Sequence, residues 1–179
     1  GEIEEEIIAT VKVEGSATNM PLPNSLPTPS SLVFIEDDEV ETLRQVTFSV
    51  DSPGPGEMVP VFAINGQVFD IDRIDEKIPL GAVEEWIITS ATSDAHPFHI
   101  HVHPFQVTEI NGNPVKPKRW QDTVIVPGFG IVRVRIRFLD FVGKSVYHCH
   151  ILTHEDLGMM ANFRVVNAET ADLDRPERT

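Results

Sequence analysis

Short runs of alternating side chains are the feature of this sequence that most limits its fold. The run IVRVRIRF, residues 131–138, alternates apolar residues with arginine, and a period of two is that of a β-strand with one solvated face. Further short apolar or alternating runs occupy residues 33–35, 43–50, 59–64, 85–91, 98–110, 122–126, 145–151 and 161–166. Turn signals such as SPGPG, NGN and PGFG separate them, and no run keeps a sustained helical period. We therefore predict an all-β fold, a Greek-key β-sandwich or barrel.

A proline-rich segment divides the chain. NMPLPNSLPTPSS, residues 19–31, carries four prolines and cannot form a helix interior or a central strand. The 179 residues suit one ordinary domain with tails. We predict an N-terminal extension with a strand-like start at residues 6–13 and a linker over residues 1–31, one domain over residues 32–167, and a C-terminal tail over residues 168–179.

Charge and composition exclude several classes of partner. The net charge of −14, from 28 acidic and 14 basic residues, argues against nucleic acid, which is bound largely through clustered lysine and arginine. No apolar run approaches the roughly 20 residues of a membrane span, and the acidic N-terminus lacks the basic flank of a signal peptide. The single cysteine, Cys149, excludes a disulfide within the chain.

The stretch HPFHIHVHPF, residues 96–105, holds four histidines in eight positions. In a strand, successive side chains alternate between two faces. The apolar row is Phe98, Ile100 and Val102, and the histidine row is His99, His101 and His103. Core packing explains a lone histidine, but a row of like cations is unfavourable unless a metal binds the neutral imidazoles. The histidine row therefore predicts a metal site.

A second cluster, YHCHILTHEDLGM, covers residues 147–159. The same alternation places His148 and His150 on one face and Cys149 on the other, so one strand can serve two metal sites. Cys149, His154 and Met159 supply a thiolate, an imidazole and a thioether, and a second imidazole would complete the ligand set of a blue-copper centre.

Two other metal sites compete with this interpretation. A structural zinc site needs several cysteines, and the zincin motif needs a histidine four residues after His154, where Gly158 stands. A cupin-like mononuclear site is compatible with His99 and His101 on a strand, but it leaves the cysteine cluster and Met159 unexplained.

Two motifs together, HPFHIH at residues 96–101 and HCHILTHEDLGMM at residues 148–160, resemble the C-terminal cupredoxin domain of a multicopper oxidase of the laccase, spore-coat laccase and bilirubin oxidase kind. The resemblance covers roughly residues 59–166. It implies a cupredoxin-type fold and an oxidoreductase that uses dioxygen as its electron acceptor.

The resemblance also implies a role for each motif residue. It implies that a type 1 copper is bound by His96, Cys149 and His154, with Met159 as the axial ligand. It implies that His99 binds the type 2 copper and that His101, His148 and His150 bind the type 3 pair. Glu155 matches an acid that assists proton delivery to reduced oxygen, the alternative being a solvated loop carboxylate.

Four residues near the motifs fall outside the ligand pattern. We expect His103 to lie in the second shell or at the surface, and Met160 to serve packing. Trp120 and Asp122 are expected to serve packing and turn chemistry rather than to line a substrate approach to the type 1 copper.

The trinuclear cluster of this family needs eight histidines, half of them from an N-terminal cupredoxin domain. This chain has seven histidines in all, and copies of one chain lack the same residues. The resemblance therefore implies a C-terminal piece or subunit of a larger oxidase, inactive alone, whose partners are that N-terminal domain, a phenolic or metal-ion electron donor and dioxygen. It places the parent protein in the periplasm or outside the cell. A stand-alone blue-copper electron carrier and the cupin-like enzyme stay open as alternatives.

Overall fold

The computed structural model describes residues 9–18, 20–25, 33–56, 58–116 and 118–167. The chain separates into two compact units, Gly1–Ser31 and Leu32–Thr179. In the described part of the first unit there is no strand, so the strand-like start predicted at residues 6–13 is wrong for residues 9–13, and residues 6–8 lie outside the described residues. The predicted tail and the boundary at residue 32 also lie outside them.

The second unit is built from short strands, as predicted. Its described residues form a 3-10 turn at Asp37–Glu39, one helix and twelve strands. The strands are β1 Thr42–Asp51, β2 Val61–Ile64, β3 Glu76–Pro79, β4 Val83–Ser90, β5 His96–Ile100, β6 Phe105–Ile110, β7 Asn113–Pro114, β8 Trp120–Gln121, β9 Thr123–Val126, β10 Ile131–Arg137, β11 Gly143–Cys149 and β12 Met160–Val166, and helix α1 is Leu152–Asp156. No described helix has the length and hydropathy that a membrane span requires.

The strands form two sheets. One has the order β2-β1-β4-β10-β6-β7, with β8 also paired to β6, and the other has the order β3-β12-β11-β5-β9. The pairs β1–β4 and β3–β12 are parallel and the others are antiparallel. With twelve short strands in two sheets and one short helix among the described residues, the prediction of an all-β Greek-key sandwich of the cupredoxin type is confirmed.

An aromatic core joins the two sheets. The Trp86 ring meets the Tyr147 ring edge-on with centroids 5.1 Å apart, and Phe98 lies 6.2 Å from Trp86 and 6.1 Å from Tyr147. All three side chains are fully buried. Because Phe98 precedes His99 and Tyr147 precedes His148, the core fixes the two strands that carry the histidine motifs.

Three expectations about strands are wrong, and β3 was not expected. Residues 33–35 are not a strand, and β3 was missed because its sequence, EKIP, is short and polar. The run at residues 98–110 is two strands in different sheets. Val102, expected in the core, is 55% exposed with a φ of +73°, because the chain turns there from one sheet to the other.

Candidate metal centre

The pairing of β5 with β11 brings the two sequence motifs together. The strands are antiparallel, with His99 opposite His148 and Phe98 opposite Cys149. Residues about 50 positions apart in sequence thus become neighbours across one ladder, and each strand presents one row to the core and one row away from it.

The first group is the Cys149 site, formed by His96, Cys149 and His154. The Cys149 Sγ lies 3.6 Å from His96 Nδ1 and 3.7 Å from His154 Nδ1. The three candidate ligand atoms all lie within 4.8 Å of one another. Cys149 and His96 are fully buried, and the His154 ring stacks on Phe62 with centroids 4.5 Å apart. One thiolate and two imidazoles at these distances can converge on a single ion.

Hydrogen bonds orient the Cys149 site. His96 Nε2 lies 2.8 Å from Thr92 Oγ1, and a histidine that donates through Nε2 keeps its lone pair on Nδ1, the atom that faces the sulfur. The Cys149 N–H donates to the Met159 carbonyl at 3.0 Å, and the Met159 N–H donates to the His154 carbonyl at 2.9 Å. Helix α1 lies within this loop, so Met159 returns to the buried core beside Cys149.

Burial sets the protonation of the Cys149 site in the absence of a metal. It raises the pKa of the Cys149 thiol to about 11. It also lowers the pKa of His96 and of His154, which favours neutral imidazoles. Without a cation, burial therefore favours a thiol and neutral imidazoles at this site, and a bound cation is the partner that would favour the thiolate.

The second group is the four-histidine cluster, formed by His99, His101, His148 and His150. The ring centroids of its contacting pairs are 5.0 to 5.5 Å apart. His101 Nε2 lies 3.1 Å from His148 Nε2, and the ligand atoms of His99, His101 and His148 lie within 4.8 Å of one another. His150 is exposed and completes the cluster through ring contacts with His99 and His148.

Each of two cluster histidines is held through its Nδ1 atom. His99 Nδ1 lies 2.9 Å from the Asp122 carbonyl and 3.0 Å from Thr123 Oγ1. His148 Nδ1 lies 3.0 Å from the Cys149 carbonyl and 3.2 Å from a Glu155 carboxylate oxygen. Because these contacts occupy Nδ1 of both rings, Nε2 is the atom of each ring that could bind a metal, and His148 Nε2 lies 3.1 Å from His101 Nε2.

Glu155 is more constrained than a solvated loop carboxylate. Its side chain is 26% exposed, and Oε2 contacts His148. The carboxylate is therefore partly buried against the four-histidine cluster.

The residues outside the ligand pattern are placed as follows. His103 is 3% exposed, so of its two expected positions the surface is wrong, and burial lowers its pKa. Met160 is half-buried opposite His148 in the β11–β12 ladder. Asp122 lies beside the four-histidine cluster, and Trp120 is half-buried opposite Gln106 in the β6–β8 pair.

Three contacts with the histidines of the two groups were not predicted. They are made by Thr92, Asp122 and Thr123, whose sequence neighbourhoods carry no motif.

A two-sheet Greek-key fold with a Cys-His-His group on one face of β11 and a histidine cluster on the other defines a cupredoxin-type metal domain. One thiolate and two imidazoles form a donor set that suits copper, and the buried Met159 lies on the same loop, hydrogen-bonded to Cys149 through its backbone. The chain belongs to the multicopper oxidase family, whose sequence profile matches residues 36–169.

Three relatives illustrate the similarity. The chain is 39% identical over 111 residues to a multicopper oxidase from Staphylococcus haemolyticus, covering 58% of this chain and 24% of the relative. It is 30% identical over 151 residues to a laccase from Haloferax volcanii, covering 80% of this chain and 24% of that relative. The solved structure of a multicopper oxidase from Campylobacter jejuni, described as a metallo-oxidase, matches with a TM-score of 0.67 and 33% identity over 74% of this chain and 31% of that one. The chain thus spans about a quarter of the curated relatives it matches.

Proposed function

We propose that this chain is the C-terminal copper-binding domain of a laccase-like multicopper oxidase. The observation that carries the proposal is the position of β11 between two candidate metal sites. Cys149 contacts His96 and His154 on one face, while His148, the preceding residue, contacts His101 on the other. Copper at these sites would supply one-electron oxidation of a donor and reduction of dioxygen to water.

The residues of β11 supply a short route between the two sites. Cys149 is covalently linked to His148 and His150, and the His148 ring also lies 3.0 Å from the Cys149 carbonyl. An electron arriving at the Cys149 sulfur would therefore have a covalent path and a hydrogen-bonded path into the four-histidine cluster. This arrangement has no use in a simple electron carrier, which needs only the Cys149 site.

Glu155 supplies a place to hold a proton beside the four-histidine cluster. Reduction of dioxygen to water consumes one proton for each electron, and a partly exposed carboxylate can take a proton from solvent and release it at the cluster. Through its contact with His148 Nδ1, this carboxylate is separated from the proposed oxygen site by a single imidazole ring.

The four-histidine cluster supplies half of the eight histidines of a trinuclear centre. We propose that an N-terminal cupredoxin domain provides the other half, since a second copy of this chain would bring the same residues. Phenols and reduced metal ions both fit as electron donors, and the net charge of −14 favours cations slightly. We place the complete enzyme in the periplasm or outside the cell.

The test is oxygen consumption by this chain co-expressed with an N-terminal cupredoxin half and loaded with copper. We expect oxygen uptake with a phenolic or ferrous donor from the pair, none from this chain alone, and none from the pair carrying Cys149→Ser. A copper-loaded pair that never consumes oxygen with either donor would contradict the proposal. If the copper-loaded chain keeps the same one-electron redox behaviour after all four cluster histidines are replaced, the result would instead support a stand-alone electron carrier.

The role of Glu155 can be measured in the same pair. Glu155→Gln should lower the rate of oxygen uptake by about 100-fold or more, the lower end for loss of a general acid, and should leave the visible spectrum of the Cys149 site unchanged. Asp156→Asn, the exposed neighbouring carboxylate, is the matched control and should have little effect. Equal losses in the two variants would refute the assignment.

A further inference from the structure

The chain makes an unusual turn directly after His101. Val102 has a φ of +73°, and the His103 N–H donates to the His101 carbonyl at 2.8 Å. A hydrogen bond across one residue with φ near +75° defines the rare and strained form of the γ-turn. Such a conformation is least favourable for a β-branched residue, so something outside Val102 must hold it.

Both backbone polar groups of His101 are hydrogen-bonded, one to β11 and one within the turn. Its N–H donates to the Val146 carbonyl of β11 at 3.1 Å, and its carbonyl accepts from His103. The His101 ring then lies with its centroid 5.0 Å from His99 and 5.2 Å from His148. A continued strand would carry Val102 to the core and His103 toward the cluster face, so the γ-turn ends the alternation immediately after His101.

His103, which closes this turn, is buried. Among residues 101–104 it alone is buried, with 3% exposure. Its ring lies in an aromatic cage formed by Phe138, Phe141 and Phe163, at centroid distances of 4.9, 6.5 and 5.9 Å. Phe138 directly follows β10 and Phe163 lies in β12, so the cage is built from both sheets. Pro104 adds a restriction, since it keeps the preceding residue extended.

We infer that His103 is a positioning residue: its ring, held in the aromatic cage, maintains the γ-turn at Val102 and thereby sets the His101 ring against His148. It does not bind the metal itself. The inference deepens the proposed function, on which it rests only for naming His101 a metal ligand. The turn and the ring contact can be observed in the metal-free chain, so failure of the copper assignment and failure of this inference are separate results.

The test compares four variants of the full chain without metal, by nuclear magnetic resonance. His103→Ala empties the aromatic cage, and His103→Phe fills it without an imidazole. Val102→Gly removes the steric strain of the positive φ, so that the turn no longer depends on an anchor, and the fourth variant combines Val102→Gly with His103→Ala. The readouts are the contact between the His101 and His148 rings in every chain and, in the chains that keep Val102, the strong contact between the amide and α protons of residue 102, which marks a positive φ.

We expect both signals in the wild-type chain and in His103→Phe, and the ring contact in Val102→Gly. Both should be lost in His103→Ala, and the ring contact should be restored when Val102→Gly is added, a rescue that general loss of core packing would not produce. Zinc titration of the four-histidine cluster gives a second readout: His103→Ala should weaken binding by about 10- to 100-fold, and His103→Phe should not. Leu139→Ala, which truncates an exposed side chain after Phe138, is the matched control.

Two results would overturn the inference. One is a folded His103→Ala chain that keeps the positive φ at Val102 and the His101–His148 contact. The other is a folded His103→Phe chain that loses the ring contact or the zinc affinity, since this would show that the imidazole itself is required. His103→Phe decides the question even where His103→Ala does not fold.

Discussion

At the residue scale, the state of the Cys149 thiol sets what the metal-free chain can do. The side chain is fully buried between two histidines, and it is the single cysteine. Its raised pKa means that the folded chain keeps a thiol proton that the unfolded chain loses at lower pH. Metal binding must displace that proton, so copper affinity is expected to rise with pH.

The same proton makes stability depend on pH. Between pH 9.0, the ordinary pKa of the thiol, and pH 11 the folded state binds more protons than the unfolded state, so the free energy of unfolding falls as pH rises. At pH 10 the loss from this group is about 1.4 kcal/mol. Urea unfolding of the metal-free chain at pH 7.5 and pH 10 should show this extra loss relative to Cys149→Ser. Parallel losses in both chains would contradict it.

Single residues also show where prediction from sequence ends. The alternation of His148, Cys149 and His150 follows from the period of a strand, and the structure has these contacts on opposite faces. Thr92 and Asp122 could not be found in this way, because their contacts with His96 and His99 depend on how separate loops fold. His103 lies in a histidine row in the sequence, but one strained turn moves it into the core.

At the scale of elements, the pairing of β5 with β11 does most to build the site. The sequence predicts both strands, but a register such as His99 opposite His148 depends on packing of the whole sandwich. The break between β5 and β6 had a local signal, since Pro104 cannot donate to a ladder inside a strand. The EKIP strand had none, because lysine and glutamate are poor indicators of a strand.

The link from α1 to β12 depends on Gly158. Its φ is +114°, and a Cβ there would lie 2.5 Å from Val68 Cγ1 and 3.2 Å from the Phe62 carbonyl. Gly158→Ala should therefore lower the free energy of unfolding by about 3 kcal/mol, from backbone strain plus a steric clash. Because Phe62 stacks on His154, the substitution should also weaken metal binding at the Cys149 site.

Gly112 provides the matched control for this prediction. Its φ is +79°, and nothing lies within 4 Å of the position that a Cβ would take, so Gly112→Ala should cost only about 1 kcal/mol of backbone strain. Urea unfolding of both variants, with copper titration of the Cys149 site, makes the comparison. Equal destabilisation by the two substitutions would show that the space around Gly158 has no importance.

At the scale of the whole molecule, the fold places one strand between two groups of metal-binding side chains. The all-β class and the family resemblance follow from short alternating runs and two motifs, whereas the geometry of each group required the packed sandwich. The chain covers about a quarter of its curated relatives, in keeping with the proposal that its four-histidine cluster is completed by another domain. The central claim is therefore that β11 serves two separate copper sites through its opposite faces.

The most direct test of that claim is copper content together with the visible absorption spectrum of this chain and two variants. We predict an intense blue copper–thiolate absorption in the wild-type chain, its loss in Cys149→Ser, and its retention in His148→Ala, because His148 faces the other group. A copper-loaded wild-type chain without that absorption, or its loss in a folded His148→Ala chain, would contradict the account.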